Sequence, residues 1–515
     1  MNITAQDLDR LLLAGENITF EVKTATNGVP KSFWETYSAF TNTNGGIIVL
    51  GITDSPEFEV LGIENTQKYI DDIISTARSD KVSRNLFTSP DAIFSLSYKS
   101  KNIIVCEIPE APFDDKPVYL NNHLANAYVR RGSGDHKITK DELSSILRDT
   151  NHELDRELLN NFTIDDLDMT SIIKYKAILH KRAPSRQFDT QDIPTFLSNM
   201  DVFVRDRVDG KQKLTLAGLL FFGKLNSIKS YIPAYHVDYF DKRGSTERWR
   251  DRVDSEDLEF ENLNLFNYYE IVMEKLRLSI DRNFELDNQT TRKPPGELLI
   301  ALREAFVNMI VHADYLSSHP TLIAEVHDLY YKFLNPGKMK ITKDEFFFGS
   351  RSIARNPTLI SLFTKMGAAE RAGSGSQKII DVVKKNDFKL PEIESTIEET
   401  RLKLWIAHLI DSLNLPQIEK DIYAVITISP THSSSKKDIM KILPHYTDSQ
   451  VRDALEKLYA QKLISKHGGN RNRTYSRNLS ELEFIKSLEA VTEKVKQIYT
   501  RSKKVSYKSI KNGAY

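Results

Sequence analysis

The sequence predicts an α+β multidomain protein, on three observations. At 515 residues the chain exceeds what one hydrophobic core sustains, so roughly two to four domains are expected. Short apolar strand patterns alternate with helical ones along most of its length. Two stretches interrupt that alternation, a charged helix over 140–160 that suits an exit linker and Leu415-Pro416. The division that follows is 1–150, a middle α/β unit over 151–290, then 291–410 and 415–480, with a helix and basic tail over 481–515.

Composition narrows the function classes. Hydrophobic content of 40% and charged content of 28% are ordinary for a globular protein. Lys and Arg total 71 and so do Asp and Glu, so no global field favours a polyanion, and any nucleic-acid binding has to come from local patches. The lone cysteine, Cys106, excludes an intrachain disulfide and sits in an apolar run as a small buried hydrophobe. The N-terminus lacks the basic start and cleavage site of a signal peptide, and no stretch approaches a spanning length of about 18 apolar residues. A cytoplasmic protein without a membrane partner is expected.

In the first unit a short amphipathic helix runs into a strand at Ile18–Val22, followed by a helix over Lys31–Asn42. Gly46–Ile52 is apolar enough for a strand buried on both faces. Asn102–Ile108 is a further strand, and Ala127–Gly132 another that enters a glycine-rich turn. Glu16 and Glu21 stand five residues apart where a turn becomes a strand, with Lys23 beside them, and Asp54 closes the apolar strand. If the two strands pair, the three carboxylates converge at one sheet edge. Clustered carboxylates suit Mg2+ or Mn2+ and metal-assisted phosphodiester hydrolysis, with Lys23 offsetting phosphate charge. The same spacing also suits a solvated acidic edge.

Glu16-x4-Glu21-x-Lys23, the run Phe40–Gly46, the strand Leu50–Asp54 and the turn Ala127–Ser133 resemble, in order and spacing, the AlbA-like core of Schlafen-family proteins. The resemblance covers roughly residues 8–150. It implies a nucleic-acid-handling domain and, in members that cut tRNA or rRNA, a metal-dependent nuclease site at the positions matching Glu16, Glu21 and Asp54, with roles in antiviral defence or stress. Arg130, Arg131 and the Gly132-Ser133-Gly134 turn suit phosphate contacts, and a stabilised hairpin explains them as well.

The middle unit, built around the apolar run Leu214–Gly223, carries no chemistry legible from its residues. The stretch after Pro294 does. Ala301, Ala305, Val307, Ile310 and Val311 follow helical spacing, and Glu304, Asn308 and His312 fall at i, i+4 and i+8 on one drifting face. Such a Glu can hold water as a general base while the Asn amide oxygen ligates Mg2+. Further on come Phe333–Gly337, Ser352–Pro357 and the turn Gly373-Ser374-Gly375-Ser376 before a helix. Backbone N–H groups of such a turn cradle phosphates. The ordered set resembles the divergent GHKL ATPase domain found behind Schlafen-like domains, over about residues 294–405. That resemblance implies an α/β sandwich binding ATP and Mg2+, with Glu304 as water activator, Asn308 on the metal, Asn335 to Gly337 at the base and Gly373 to Ser376 at the phosphates. Asn335 stands near the place where GHKL proteins carry an adenine-reading Asp, which puts base specificity in doubt. No Walker A motif is present.

From Gln417 the spacing predicts helices over Ile418–Ile426, Ser435–Leu443 and Thr447–Leu458, then a hairpin over Leu463–Tyr475. That order resembles a winged helix-turn-helix. Ser449, Gln450 and Arg452 would face a DNA groove, with Arg471 and Arg473 on the wing at phosphates. Asp448, Asp453 and Glu456 on the same helix leave a protein-contact role equally open. The combined expectation is an ATP-binding protein acting on nucleic acid, either as a metal-dependent nuclease under ATP control or as an ATP-sensing DNA-binding transcriptional regulator, and assembled as a homo-oligomer.

Overall fold

The computed structural model describes residues 3–53, 58–87, 89–151, 153–244, 248–284, 296–348, 353–369, 375–386, 388–406, 415–428, 433–461, 463–469 and 473–477. Thr4 opens helix α1 (Ala5–Ala14) through a capping box with Asp7. Then come β1 (Phe20–Lys23), α2 (Lys31–Asn42), β2 (Gly46–Leu50), α3 (Thr66–Ala77), β3 (Ile93–Tyr98) and β4 (Lys101–Ile108). Their sheet has the order β1-β2-β4-β3, with β1 and β2 parallel and the other pairs antiparallel. A parallel pair needs a crossover, and α2 supplies it. One face packs Ile48, Leu50, Ile104 and Cys106 against Phe33, Tyr37 and Phe40 of α2. The other buries Val22, Val49 and Val105 with Leu8 of α1. Burial on both faces is why this strand reads as an unbroken apolar run. Gly45 has φ of +70°, and a Cβ there would lie 2.7 Å from the Ile108 carbonyl oxygen, so the turn into β2 requires it.

The hairpin β5 (Tyr128–Arg131) and β6 (Gly134–Lys137) leads to α4 (Lys140–Asp149), started by a Thr139–Glu142 capping box. This helix ends at Asp149 and packs on the next unit through Arg148 and Asp149, so it is a contact element rather than a linker. Next come β7 (Leu158–Leu159), α5 (Met169–Arg182), α6 (Ile193–Asn199), β8 (Phe203–Arg205), β9 (Gln212–Thr215), α7 (Leu216–Phe222) and α8 (Leu225–Tyr231). All seven residues of α7 are buried, and Phe221 and Phe222 pack edge-on to Tyr175 of α5.

The chain then runs through β10 (His236–Asp241), β11 (Asp251–Asp254), α9 (Leu265–Phe284), α10 (Gly296–Val311), β12 (Thr321–Val326) and β13 (Tyr330–Pro336). It continues with α11 (Lys343–Phe348), α12 (Pro357–Met366), α13 (Gly375–Lys385), β14 (Glu392–Ser395) and β15 (Glu399–Trp405). These strands form a six-stranded sheet of order β11-β10-β12-β13-β15-β14, in which only β10 and β12 are parallel. The sheet therefore spans the expected boundary at 290, and one hydrophobic cluster runs from Leu159 to Leu404. Val237, Tyr239, Leu322, Ala324, Tyr331, Phe333, Leu402 and Leu404 point into that core. Their strand neighbours Phe240, Ile323, Tyr330, Lys332, Lys403 and Trp405 lie half-buried on the opposite face, as period-two alternation requires.

The last unit has its own core and the order α14 (Gln417–Ile428), β16 (Ser433–Ser435), α15 (Lys436–Ile442), α16 (Asp448–Ala460), β17 (Ile464–His467) and β18 (Thr474–Arg477), with sheet order β16-β18-β17. Among the described residues no helix is long and apolar enough to cross a membrane.

Candidate functional site

A cavity opens between α10, the sheet and the start of α13. Glu304, Asn308 and His312 line it from α10, since the i, i+4, i+8 spacing keeps them on one side of the helix. Gly375 and Ser376 line it from α13, and Phe333, Asn335, Ile341 and Leu402 from the sheet side. The Glu304 carboxylate lies against Gly375 so closely that a Cβ at 375 would collide with its Oε1. Gly373 and Ser374 lie outside the described residues. Gly337 is not part of the lining. Enclosure, and then the nearby Arg355 and Lys340 charges, push the His312 imidazole down to about 4, so it is neutral at neutral pH.

Lys340, on the loop after β13, lines the same cavity and donates from Nζ to the Asp149 carbonyl at 2.6 Å. That bond belongs to an ionic junction with the N-terminal unit. Arg148 grips Asp314 with Nη2 at 2.7 Å and Nε at 3.1 Å from Oδ2. Arg355 binds Asp149 through Nε at 2.8 Å and Nη2 at 2.9 Å, and also donates to the Lys338 carbonyl at 2.7 Å. Lys338 Nζ reaches Glu110 at 2.7 Å and donates to the Thr43 carbonyl. A Cβ on Gly337 (φ +89°) would sit 2.9 Å from the Arg355 guanidinium and 3.0 Å from Asp314 Cβ. Burial alone would raise the Glu110 carboxyl, but Lys116 and Lys338 together hold it below its ordinary value. Lys116, buried and repelled by Lys338, falls to about 7. The sequence singled out the segments carrying Gly337 and Arg355 but not this junction, because the charge pairs Arg148–Asp314, Glu110–Lys338 and Asp149–Arg355 each join residues more than a hundred positions apart.

At the N-terminal carboxylates, Glu16 Oε1 accepts from the Val22 N–H at 3.1 Å. Glu21 accepts from Lys23 Nζ at 2.8 Å on one oxygen and from Arg130 Nη2 at 2.6 Å on the other. Arg130 is buried and also binds Asp135 at 2.8 Å and the Asn17 carbonyl. Its guanidinium fastens the β5–β6 hairpin to β1 and is not presented to solvent, so it makes no phosphate contact in this arrangement. Arg131 is half-exposed and pairs with Glu142 and Glu398. Asp54 lies outside the described residues. Among those described, one trio of metal-type ligands converges, His236, Asp238 and Asp254, within 4.8 Å of each other. Arg252 already bridges both aspartates, at 2.9 and 2.8 Å.

In the C-terminal unit Gln450 closes the capping box of α16 with Thr447, so its amide serves the helix start. Ser449 and Arg452 are exposed on that helix, and Arg473 precedes β18. Arg471 lies outside the described residues.

Residues 16–139 match the family model for the Schlafen AlbA_2 domain. Residues 331–404, from β13 to β15, match the model described as ATP-dependent DNA helicase recG C-terminal; the match takes in the sheet and α13 side of the cavity and stops short of α10. The chain thus carries a Schlafen-type domain and a divergent ATPase-type region. Its two matched domains describe a nucleic-acid-acting ATPase-type protein, with nucleic acid and ATP as partner classes. Between the two, residues 144–238 match a domain family of unknown function, DUF8451. A solved protein of Corynebacterium diphtheriae aligns over 92% of this chain and 98% of its own, at 13% identity and a TM-score of 0.36. The N-terminal domain of a RecG-related protein from Nitrosomonas europaea aligns over 27% of this chain and 94% of its own, at 27% identity and a TM-score of 0.22. No curated protein matches the chain.

Proposed function

We propose that the chain is an ATP-responsive protein acting on nucleic acid, with the nucleotide in the α10–α13 cavity. The convergence of Glu304, Asn308 and the α13 start at Gly375 and Ser376 on that cavity carries the reading. The donor set fits. Glu304 and Asn308 offer hard oxygens, the site at Gly375 is one that any Cβ would fill, and Phe333, Ile341 and Leu402 give an apolar wall for a base. In this reading Glu304 orients the attacking water and Asn308 holds Mg2+, which neutralises phosphate charge when bound. In the same reading Asn335 lies at the base and Gly375 and Ser376 at the phosphates, with Gly373 and Ser374 just ahead of them in sequence. His312, neutral, serves as a hydrogen-bonding wall. The loop 337–341 belongs both to the cavity and to the ionic junction, so nucleotide state would bias how the N-terminal domain is held.

Two readings of the nucleic-acid work remain distinct. Cleavage would use Glu16, Glu21 and Asp54 around Mg2+ or Mn2+. Binding without cleavage, as in a transcriptional regulator, is favoured by one observation: both Glu21 oxygens already serve Lys23 and Arg130. A divalent ion there must compete with the Lys23 ammonium and the buried Arg130 guanidinium for that carboxylate. The α-β-α-α-β-β order of the C-terminal unit suits a winged helix that adds DNA contact through Arg452 and Arg473.

Nucleotide binding and turnover, measured with a fluorescent ATP analogue and by phosphate release, test the first part. Glu304→Ala should abolish turnover while sparing binding. Absence of nucleotide binding by the parent protein sinks the reading. Incubation with tRNA and single-stranded DNA plus Mg2+ or Mn2+ decides the second part: cleavage lost in Glu16→Gln supports the nuclease, and retention without cleavage the regulator.

A further inference from the structure

The face of the six-stranded sheet turned away from α10 carries rings and cations in alternation. Cross-strand register sets Arg252 opposite Phe240, Phe240 beside Glu325, Glu325 opposite Lys332 and Lys332 opposite Lys403. On the same face Tyr330 pairs with Trp405, their rings 5.0 Å apart, and His327 stacks on Tyr330 at 4.2 Å. The Lys403 ammonium lies 4.3 Å from the centres of both the Tyr330 and Trp405 rings, and Lys389 lies 4.2 Å from Trp405. Toward the other edge Arg252 lies 5.1 Å from the centres of both Phe240 and Trp249, and Lys242 lies 5.2 Å from Phe240.

Around the rings Lys242, Lys332, Lys389 and Lys403 meet two carboxylates, Glu325 and Glu392. Around Glu325 and Glu392 the balance is thus four ammonium groups to two carboxylates, whereas Arg252 is already bridged to Asp238 and Asp254 on the same face. Arg401, further along β15, meets two carboxylates, Glu394 and Glu399, so the positive excess is confined to the four lysines. A protein partner would favour a ring patch poor in lysine, because lysine is depleted at interface cores. Rings interleaved with cations are what an unpaired strand binds, since bases stack on the rings and ammonium groups meet the phosphates. A duplex offers no free base faces.

We propose that this sheet face seats a single-stranded nucleic acid, with bases stacking on Tyr330, Trp405 and Trp249 and phosphates meeting Lys242, Lys332, Lys389 and Lys403. The proposal rests on the nucleic-acid-acting reading above and adds where the strand lies. Trp249 is 38% exposed and Trp405 half-buried on this face, whereas the third tryptophan, Trp34, is 3% exposed in the N-terminal core. Quenching of tryptophan emission therefore reports the sheet face alone.

The full chain is titrated with an end-labelled oligothymidylate of about 20 nucleotides, a length that spans several stacking positions. Anisotropy and tryptophan emission are read together. Saturable quenching is expected to track the anisotropy. Lys403→Glu, Lys389→Glu and Tyr330→Ala should each weaken binding roughly tenfold and reduce the quench, with an unchanged melting midpoint for the two lysine variants. Should Tyr330→Ala unfold the sheet, the lysine variants decide alone. Full anisotropy without quenching, and indifferent to Lys403→Glu and Lys389→Glu, overturns this seat and leaves the nucleic-acid reading standing. If neither the oligothymidylate nor tRNA is retained by the parent chain, both fall.

Discussion

Asp155 shows how one buried carboxylate can serve the fold at a cost. Its Oδ2 accepts from the N–H groups of Thr358 and Leu359 at 2.7 and 3.0 Å, capping α12 from two hundred residues away, because Asn356 makes no side-chain cap. Its Oδ1 is buried without a partner. Burial raises the carboxyl to about 6, against the partial relief of those two backbone bonds. The folded state thus binds more protons than the unfolded state between the ordinary value of 3.8 and about 6, and stability falls as pH rises through that window. Asp155→Asn keeps an accepting oxygen and removes the charge. Urea midpoints from pH 4 to 7 should therefore flatten in the variant relative to the parent; an unchanged slope would show that Asp155 does not titrate there. His312 runs the opposite way, since its depressed value makes protonation below about 6.5 destabilising. Comparing Asp155→Asn with a His312→Asn variant separates these opposed contributions.

Between elements, the approach of α10 to α13 is set by Gly375. With no Cβ, the first turn of α13 comes down on the Glu304 carboxylate, and any side chain there must push Glu304 or the helix aside. Gly375→Ala should leave the unfolding free energy within about 1 kcal/mol of the parent, because helix propensity gains what the contact loses. It should lower ATP turnover at least about tenfold by misplacing the carboxylate. Unaltered turnover in a folded variant would detach this contact from the chemistry. The adjoining sheet shows the same logic from its other side: one period-two alternation that buries Phe333 and Leu402 turns Tyr330, Lys403 and Trp405 outward.

Across the whole molecule, the ionic junction ties the Schlafen-type domain to the cavity-bearing sheet. Arg148–Asp314, Asp149–Arg355 and Glu110–Lys338 are all largely buried, so their partners are over-determined in geometry and costly to strand. Asp149→Ala leaves the Arg355 guanidinium enclosed without its carboxylate, for which a loss of about 3–5 kcal/mol is expected. The measurement is two-fold: chemical unfolding, and limited proteolysis of the 150–160 segment with and without ATP. Resistance equal to that of the parent would mean that the junction carries little of the domain docking. Because Lys338 and Lys340 flank the cavity loop, Lys338→Ala should also reduce any effect of ATP on that proteolysis.

Local patterns read well wherever the physical cause is local. The strand Gly46–Leu50, the helix Lys31–Asn42, the capped starts of α15 and α16, and the shared face of Glu304, Asn308 and His312 follow from spacing of a few residues, and the sequence by itself determined them. Family-specific spacing also marked the Schlafen-type domain and the divergent ATPase region. Other features have causes distributed over hundreds of residues. Only the tertiary structure decided that β10 and β11 join the later strands, that Arg130 is spent on Glu21 and Asp135, and that Asp314, Lys338 and Arg355 dock a domain instead of lining the cavity. A charge carries no mark of its partner along the chain. Burial and pairing are settled only when packing brings distant segments together, and there the desolvation of each ion selects the counter-charge it must meet.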